Sequence, residues 1–309
     1  MTRPRYRNLD GSLPHRASAV FKWGVLDRLA GRRKPDRRPF EAPRVANDGA
    51  ALRRNVSEPL LTWVGHATWL VQLAGVNLLI DPIWARVVAG VVPRRSAPGV
   101  ALADLPRIDA VLVTHNHRDH MDLRTLRHFA AAPLAVVPLG LAAALRRLGY
   151  RDVRELDWWQ GVDAGKVRIT LVPSQHWSRR GLLDTNATLW GGFVIEGDGR
   201  RVYHSGDTAW FAGFREIARR LGSPDAALLP IGAYEPEWFM RRQHMNPEDA
   251  LRAAADLDAR RILPMHWGTY QLTDEWLGEP PRRVVAAAAE DPRLLERLIL
   301  CPIGASERL

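Results

Sequence analysis

Between His115 and His120 the chain places three histidines and an aspartate in six residues, His-Asn-His-Arg-Asp-His, directly after the apolar run Ile108 to Val113. A run of that length and composition reads as a buried strand, so the polar cluster sits where the strand leaves its sheet. His115 and His117 are two apart, and along extended backbone both imidazoles point to one side. One cation can take both. Asp119 and His120 follow where the chain turns toward a helix implied by Leu123, Leu126 and Phe129, and a tight turn can aim them at a second cation beside the first. Any fold built on this chain has to leave that strand end open to a metal site.

Short metal-like motifs arise by chance, so the cluster needs partners elsewhere. Three positions qualify, each closing an apolar run: His176 after Val167 to Val172, Asp207 after Arg201-Val-Tyr-His-Ser-Gly, and His266 after Arg261-Ile-Leu-Pro-Met. Open sheets gather their sites at strand ends. A dinuclear site needs this many nitrogen and carboxylate donors.

In order, His115-Asn-His117-Arg-Asp119-His120, Gln175-His176, Ser205-Gly206-Asp207-Thr208 and Met265-His266-Trp267-Gly268 resemble the ligand motifs of the metallo-β-lactamase superfamily. Trp63-Val-Gly-His66-Ala-Thr, Leu79-Ile-Asp81-Pro82, Leu189-Trp190-Gly191-Gly192-Phe193 and the stretch from Tyr234 through Gln243-His244 to Ala250 resemble its N-acylphosphatidylethanolamine-hydrolysing phospholipase D branch. The resemblance covers residues 55 to 300 and implies a four-layered αββα sandwich. Periodicity alone says only α/β or α+β. The resemblance further implies that His115, His117 and His176 hold one zinc and Asp119, His120 and His266 a second, with Asp207 bridging. Manganese or iron suits the same donors. A metal-bridging hydroxide is the nucleophile that the resemblance implies, with Asp119 and Asp207 among the catalytic residues.

Other positions are read one by one. His244, beside Gln243 before a helix, matches a position the branch uses next to the substrate, so both are candidate substrate contacts, with His244 also catalytic. His66, in the loop after the first strand, is a candidate contact to a metal ligand or to substrate. A loop-stabilising role is equally open. Asp81 could accept from a ligand imidazole and fix its tautomer. His204 is read as structural. Trp177, Trp190, Trp210, Tyr234, Trp238 and Trp267 flank the motifs and could line an apolar groove, and Arg179, Arg180, Arg241 and Arg242 could pair with phosphate.

The net charge of +10 is unevenly spread: residues 1 to 55 carry 14 Lys and Arg against 5 Asp and Glu, which is +9 in that segment. Residues 1–55 are therefore set apart as a basic, partly helical extension, and residues 56–309 as the catalytic domain. Within the extension, Val20, Phe21, Trp23, Val25, Leu26 and Leu29 lie among Lys22, Arg28 and Arg32-Arg33-Lys34. Such a stretch, residues 17–34, can lie on an anionic bilayer or pack on the catalytic domain. The Arg-rich N-terminus lacks a secretory signal, which places the expected mature start near Met1. Phe129 to Leu145 has too many Pro and Gly breaks to span a membrane. The single Cys301 excludes an intrachain disulfide and suits a reducing cytoplasm, where the protein is expected, with peripheral membrane contact as an added reading.

Strands are expected at Leu60 to Val64, Trp69 to Leu73, Val76 to Ile80, Val111 to Thr114, Leu134 to Val137, Val153 to Leu156, Val167 to Val172, Gly192 to Glu196 and Arg201 to His204. Helices are expected at Phe214 to Leu221, at Pro247 to Leu257 with Asn246 as N-cap, and at Arg282 to Leu298. Three function classes follow: a phosphodiesterase of phospholipase D type acting on a small-molecule or lipid diester, a lactonase or carboxylic-ester hydrolase on the same site, and a nucleic-acid enzyme using the basic arm. The last is disfavoured by the lack of an inserted nucleic-acid-engaging region. No oligomeric state is assigned.

Overall fold

The computed structural model describes residues 6–15, 17–33 and 35–309. Arg16 and Lys34 of the basic arm lie outside the described residues.

Strands β1 (Leu60–Gly65), β2 (Thr68–Leu73), β3 (Val76–Ile80), β4 (Ala110–Leu112), β5 (Leu134–Pro138) and β6 (Val153–Leu156) form the first sheet in sequence order, the first three antiparallel and the rest parallel. The second sheet holds β7 (Gly161–Ala164), β8 (Val167–Val172), β9 (Gly192–Gly197), β10 (Arg200–His204), β11 (Ala226–Pro230) and β12 (Ile262–Met265). The chain end returns as β13 (Ser306–Arg308) on the open edge of β1.

Alternation decides which residue enters which layer. Leu61, Trp63, Trp69, Val71, Leu78, Ile80 and Leu112 face inward between the sheets, against Ile169, Leu171, Phe193 and Ile195. Their neighbours Leu60, Val64, Leu70, Leu79 and Val111 face the opposite way and meet Leu126 and Leu145 of the helices Leu123–His128 and Ala142–Leu148. Both faces are covered, so these strands read as continuous apolar runs. On the far side of the second sheet, Phe214 and Ile217 of helix Gly213–Leu221 and Ala250, Leu251, Ala253 and Ala254 of helix Pro247–Asp256 complete the fourth layer. The result is the expected αββα sandwich.

Two expectations need correction. The strand read as Val111 to Thr114 ends at Leu112, because the Thr114 N–H leaves the ladder to donate to the Asp81 carboxylate at 2.7 Å. The single helix read over Arg282 to Leu298 is two, Glu279–Ala288 and Pro292–Arg297. Pro292 has no N–H for a continuing helix, and Asp291 caps the second one by accepting from the Arg293 N–H at 3.0 Å. The N-cap at Asn246 is present, its side chain accepting from the Asp249 N–H at 2.8 Å.

The basic arm packs on the sandwich. Arg33 pairs with Asp274 at 2.7 Å, Trp23 stacks on Phe239 with centroids 4.8 Å apart, and Ala42 joins the core. Among the described residues no helix is long and apolar enough to cross a membrane.

Candidate metal centre

Six loops deliver the site, all from strand ends on one rim of the sandwich. His115, His117, Asp119 and His120 follow β4, His176 follows β8, Asp207 follows β10, and His266 follows β12. His66 sits in the β1–β2 turn and Asp81 directly after β3. His66, Asp81 and His266 all have positive φ, at 54°, 44° and 63°. A left-handed residue breaks the strand abruptly and re-aims its side chain, a strain the packed surroundings hold in place.

The donor atoms converge as two groups. In the first, His117 Nδ1 lies 2.9 Å from His115 Nε2 and 3.2 Å from His176 Nε2, and both of those nitrogens lie 3.9 Å from Asp207 Oδ2. In the second, Asp119 Oδ2 lies 3.2 Å from His66 Nε2, 3.5 Å from His266 Nε2 and 3.6 Å from His120 Nε2. Asp207 joins the groups: its Oδ2 is 3.1 Å from His120 Nε2 and its Oδ1 is 3.3 Å from His266 Nε2. Each group draws its atoms within 4.8 Å of one another. All seven residues named from sequence as ligands are thus brought together, and His66 joins the second group.

Hydrogen bonds behind the site fix which nitrogen faces inward. The Thr114 hydroxyl donates its one hydrogen to Asp81 Oδ2 at 2.7 Å, so at 2.9 Å from His115 Nδ1 its oxygen must accept. That leaves His115 Nε2 with a lone pair. His120 Nδ1 donates to Asp81 Oδ2 at 2.8 Å and His176 Nδ1 to the Gln243 carbonyl at 2.8 Å, with the same consequence. Asp81 therefore accepts from a ligand imidazole as expected, and Thr114, to which sequence reasoning assigned no role, relays it.

Electrostatics match this donor set. Burial holds His115 and His176 well below the ordinary histidine range, His117 and His244 at about 4 and His66 at about 3, so these imidazoles are neutral at physiological pH. Burial would raise the Asp119 and Asp207 carboxyls, but His120 and other facing histidines hold both well below the usual carboxylate range. His120 is opposite in sign. Burial opposes its charge, yet Asp207, Asp119 and Asp81 outweigh burial and raise it. Buried His120 Nε2, His266 Nε2 and Asp207 Oδ1 have no hydrogen-bond partner. Polar atoms are not left so in a closed site at small cost. Buried imidazoles, two carboxylates and unpartnered inward atoms fit a pair of divalent cations, which would take the place of the positive charge that the carboxylates favour on His120.

The centre floors a cavity of about 600 Å³ reached by His117, Asp119, Asp207, Gln243 and His244. His244 offers a partnerless buried Nδ1, and its ring lies 5.1 Å from that of His176 and 5.8 Å from that of His266. Of the six aromatics expected along a groove, Trp177 lines it; Trp190, Tyr234 and Trp267 are buried in the core and Trp238 is exposed on the surface. Trp210 packs under Arg252 instead. Arg179 and Arg180 reach the cavity, whereas Arg241 and Arg242 stay exposed outside it. Trp23, Val20, Phe239 and Met240 supply the apolar wall that sequence reasoning did not assign. The arm also braces the His176 loop, because Asn8 Oδ1 accepts from the His176 N–H at 3.1 Å and Gln175 donates to Asp10 at 2.9 Å. The apolar content of residues 20 to 29 was the available signal. His204 is structural: its ring bonds the Ala67 carbonyl and the Gly206 N–H.

Residues 76–267 match the model of the Beta-lactamase superfamily domain, and the chain belongs to that family. With the donor set above, this defines a metal-dependent hydrolase of metallo-β-lactamase fold. Within the family, the chain is 39% identical over 239 residues to N-acyl-phosphatidylethanolamine-hydrolyzing phospholipase D 1 of Caenorhabditis elegans, covering 71% of this chain and 67% of that protein. It is 35% identical over 305 residues to an uncharacterised protein of Mycobacterium tuberculosis, covering 92% of this chain and 80% of that one. Among solved structures it is similar to Igni18, a metallo hydrolase from Ignicoccus hospitalis, with a TM-score of 0.61, 26% identity, and coverage of 82% of this chain and 99% of that one.

Proposed function

We propose that the protein is a dinuclear zinc phosphodiesterase of phospholipase D type, acting on N-acylphosphatidylethanolamine-like lipids. The observation that carries the reading is the pairing of two facing donor groups with an apolar cavity that has arginines on its wall. The similarity to the phospholipase of Caenorhabditis elegans supports the substrate class.

His115, His117, His176 and Asp207 would hold one cation, and Asp119, His120, His266 and Asp207 the other, with His66 steadying Asp119. Two such cations supply an acidified water and charge neutralisation for a phosphoryl group. The chain's own residues arrange the rest. Trp177, Trp23 and Phe239 offer apolar surface to acyl chains, and the Arg179 and Arg180 guanidinium groups favour an anionic diester over a neutral ester. His244, neutral through burial, can donate one N–H to a phosphoryl or departing oxygen without adding positive charge. The exposed Phe21, Leu26 and Leu29 of the arm, adjoining the Trp23 wall, would touch an anionic bilayer from which the lipid is drawn.

The test is the turnover of zinc-loaded protein on phosphodiesters, lactones and carboxylic esters, with His244→Ala alongside. Diesters are expected to have the highest kcat/KM, and the variant to keep both metals while losing a factor of about 10² to 10⁴ on them. Faster cleavage of a lactone or carboxylic ester, with full diester rate in the variant, would replace this reading by the ester-hydrolase one. Loss of zinc from the variant would make His244 a ligand.

A further inference from the structure

Beside the metal cavity lies a second one of about 800 Å³, between the small hairpin Val87–Val88/Val92–Pro93 and the helix Leu123–His128. Arg86, Arg118 and Arg124, and Arg180 converge on it from three separate stretches of the sequence. Arg118 and Arg180 line both cavities, as do Val88 and Ala89, so the two spaces share a wall.

An arginine cluster on a surface is ordinarily solvated or paired. Here none of the four guanidinium groups forms an ion pair with a carboxylate among the described residues, whereas Arg201, Arg219 and Arg220 elsewhere sit on Glu196 and Glu216. The one carboxylate lining the cavity, Asp122, is occupied as a helix cap: it accepts from the Thr125 hydroxyl at 2.6 Å and from the Arg124 and Thr125 N–H groups at 3.3 Å. Two of the cations are also fixed in place. Arg180 Nη1 donates to the Met121 carbonyl at 2.8 Å and the Asn116 carbonyl at 3.2 Å, and Arg118 Nη2 donates to the Arg180 carbonyl at 3.2 Å. Neutral carbonyls orient these charges without cancelling them. Burial, and then the nearby Arg118, depress the Arg180 pKa and outweigh Asp122 and Asp184, which act from a distance without forming an ion pair with it. A pre-oriented, partly desolvated fork of this kind suits phosphate oxygens.

The rim says where the phosphate comes from. Val87 and Val91 of the hairpin are 47% and 77% exposed, and Leu182 on the facing loop is 85% exposed. Single exposed aliphatics are normal, but here they stand on both loops that border the same arginines. Aliphatic tips next to unpaired arginines match the depth profile of a bilayer surface, with acyl chains inside and phosphates above them.

We propose that the basic cavity is a second, non-reacting site that holds the phosphate of an anionic phospholipid, while Val87, Val91 and Leu182 enter the bilayer beside the mouth of the metal cavity. The site is independent of which bond the metal centre breaks. Arg180 adds a coupling, since its two carbonyl bonds lie on the loop that carries His117, Asp119 and His120.

The zinc-loaded full chain is tested by co-sedimentation with phosphatidylcholine vesicles with and without phosphatidic acid. Calorimetry with soluble dihexanoyl phosphatidic acid, inorganic phosphate and a single-stranded oligonucleotide runs in parallel. Wild type is expected to prefer the anionic vesicles by at least about tenfold, and Arg86→Glu/Arg124→Glu to lose that preference and the dihexanoyl phosphatidic acid binding. Melting temperature and bound zinc serve as folding controls, both positions being exposed. Val91→Asp is expected to weaken vesicle binding while leaving the soluble lipid bound. An unchanged anionic preference in the double variant overturns the proposal. So does inorganic phosphate or the oligonucleotide binding as tightly as the soluble lipid and being lost in the same variant.

Discussion

Asp81→Asn isolates the hydrogen-bond relay that aims the metal-facing nitrogens. The Asp81 carboxylate is fully buried and accepts three bonds, from the Thr114 N–H and hydroxyl at 2.7 Å each and from His120 Nδ1 at 2.8 Å. Asparagine keeps one acceptor oxygen and turns the other position into a donor. The amide oxygen can still serve the Thr114 N–H, but the NH₂ group then faces both the Thr114 hydroxyl and the His120 N–H. His120 escapes this clash by moving its proton to Nε2, which removes the lone pair aimed at the second donor group. Thr114 must reorient as well, and that disturbs the tautomer of His115 through their 2.9 Å contact. A hydrogen bond to a charged group contributes about 1.5–3 kcal/mol. At about 1.4 kcal/mol per factor of ten, this is a loss of roughly 10- to 100-fold in metal affinity, the range found for partners that orient a ligand histidine. Competition against a chromophoric chelator at neutral pH measures it, and excess zinc should restore part of the activity. Affinity within twofold of wild type, at unchanged stoichiometry, would refute the relay.

Further outcomes follow from single contacts. Asp207→Ala removes the oxygens that face both donor groups, so bound metal should drop below one ion per chain, whereas His176→Ala should retain one; metal analysis after zinc reconstitution reads the difference. Trp23→Ala loses the stack on Phe239, and with aromatic pairs contributing about 0.5–1.5 kcal/mol the KM for a long-chain lipid should rise roughly 2- to 10-fold while that for a small soluble diester holds. Equal shifts for both substrates would remove the arm from the cavity wall. Burial pushes the Cys301 thiol up from an ordinary 9.0 to about 12. The folded chain therefore keeps this proton where the unfolded chain loses it, so its contribution to stability is intact below pH 9 and declines between pH 9 and 12. A thiol reagent at pH 8 should label native protein slowly and denatured protein at one equivalent per chain.

How much of this was readable in advance differs by element. The chemistry of His115 to His120 is local: donor type and a spacing of two or three residues restrict what the segment can bind, whatever surrounds it. The strands of the first sheet were equally plain, since burial on both faces writes an unbroken apolar run into the sequence. Pro292 was a local signal too, and it overrules the apolar periodicity that suggested one helix up to Leu298. The ladder of strand β11 and the edge pairing of Ser306–Arg308 with β1 carried weaker patterns, because short or wholly apolar segments do not distinguish strand from helix or loop.

The donor set needed the tertiary structure. His66, Asp119 and His266 are far apart in the chain and meet only because β1, β4 and β12 end on the same rim, with left-handed residues at His66 and His266 turning the side chains inward. Sequence could name Asp81 as a partner for some imidazole, but not that Thr114 would pass its influence to His115. The arm shows the same division. Its charge and aromatic content are properties of the sequence, yet nothing local says that Trp23 turns toward Phe239 while Phe21, Leu26 and Leu29 remain exposed. Residue type fixes which interactions a side chain can make; which partner it meets depends on strand order and packing, because contacts between distant segments exist only after the chain has closed around them.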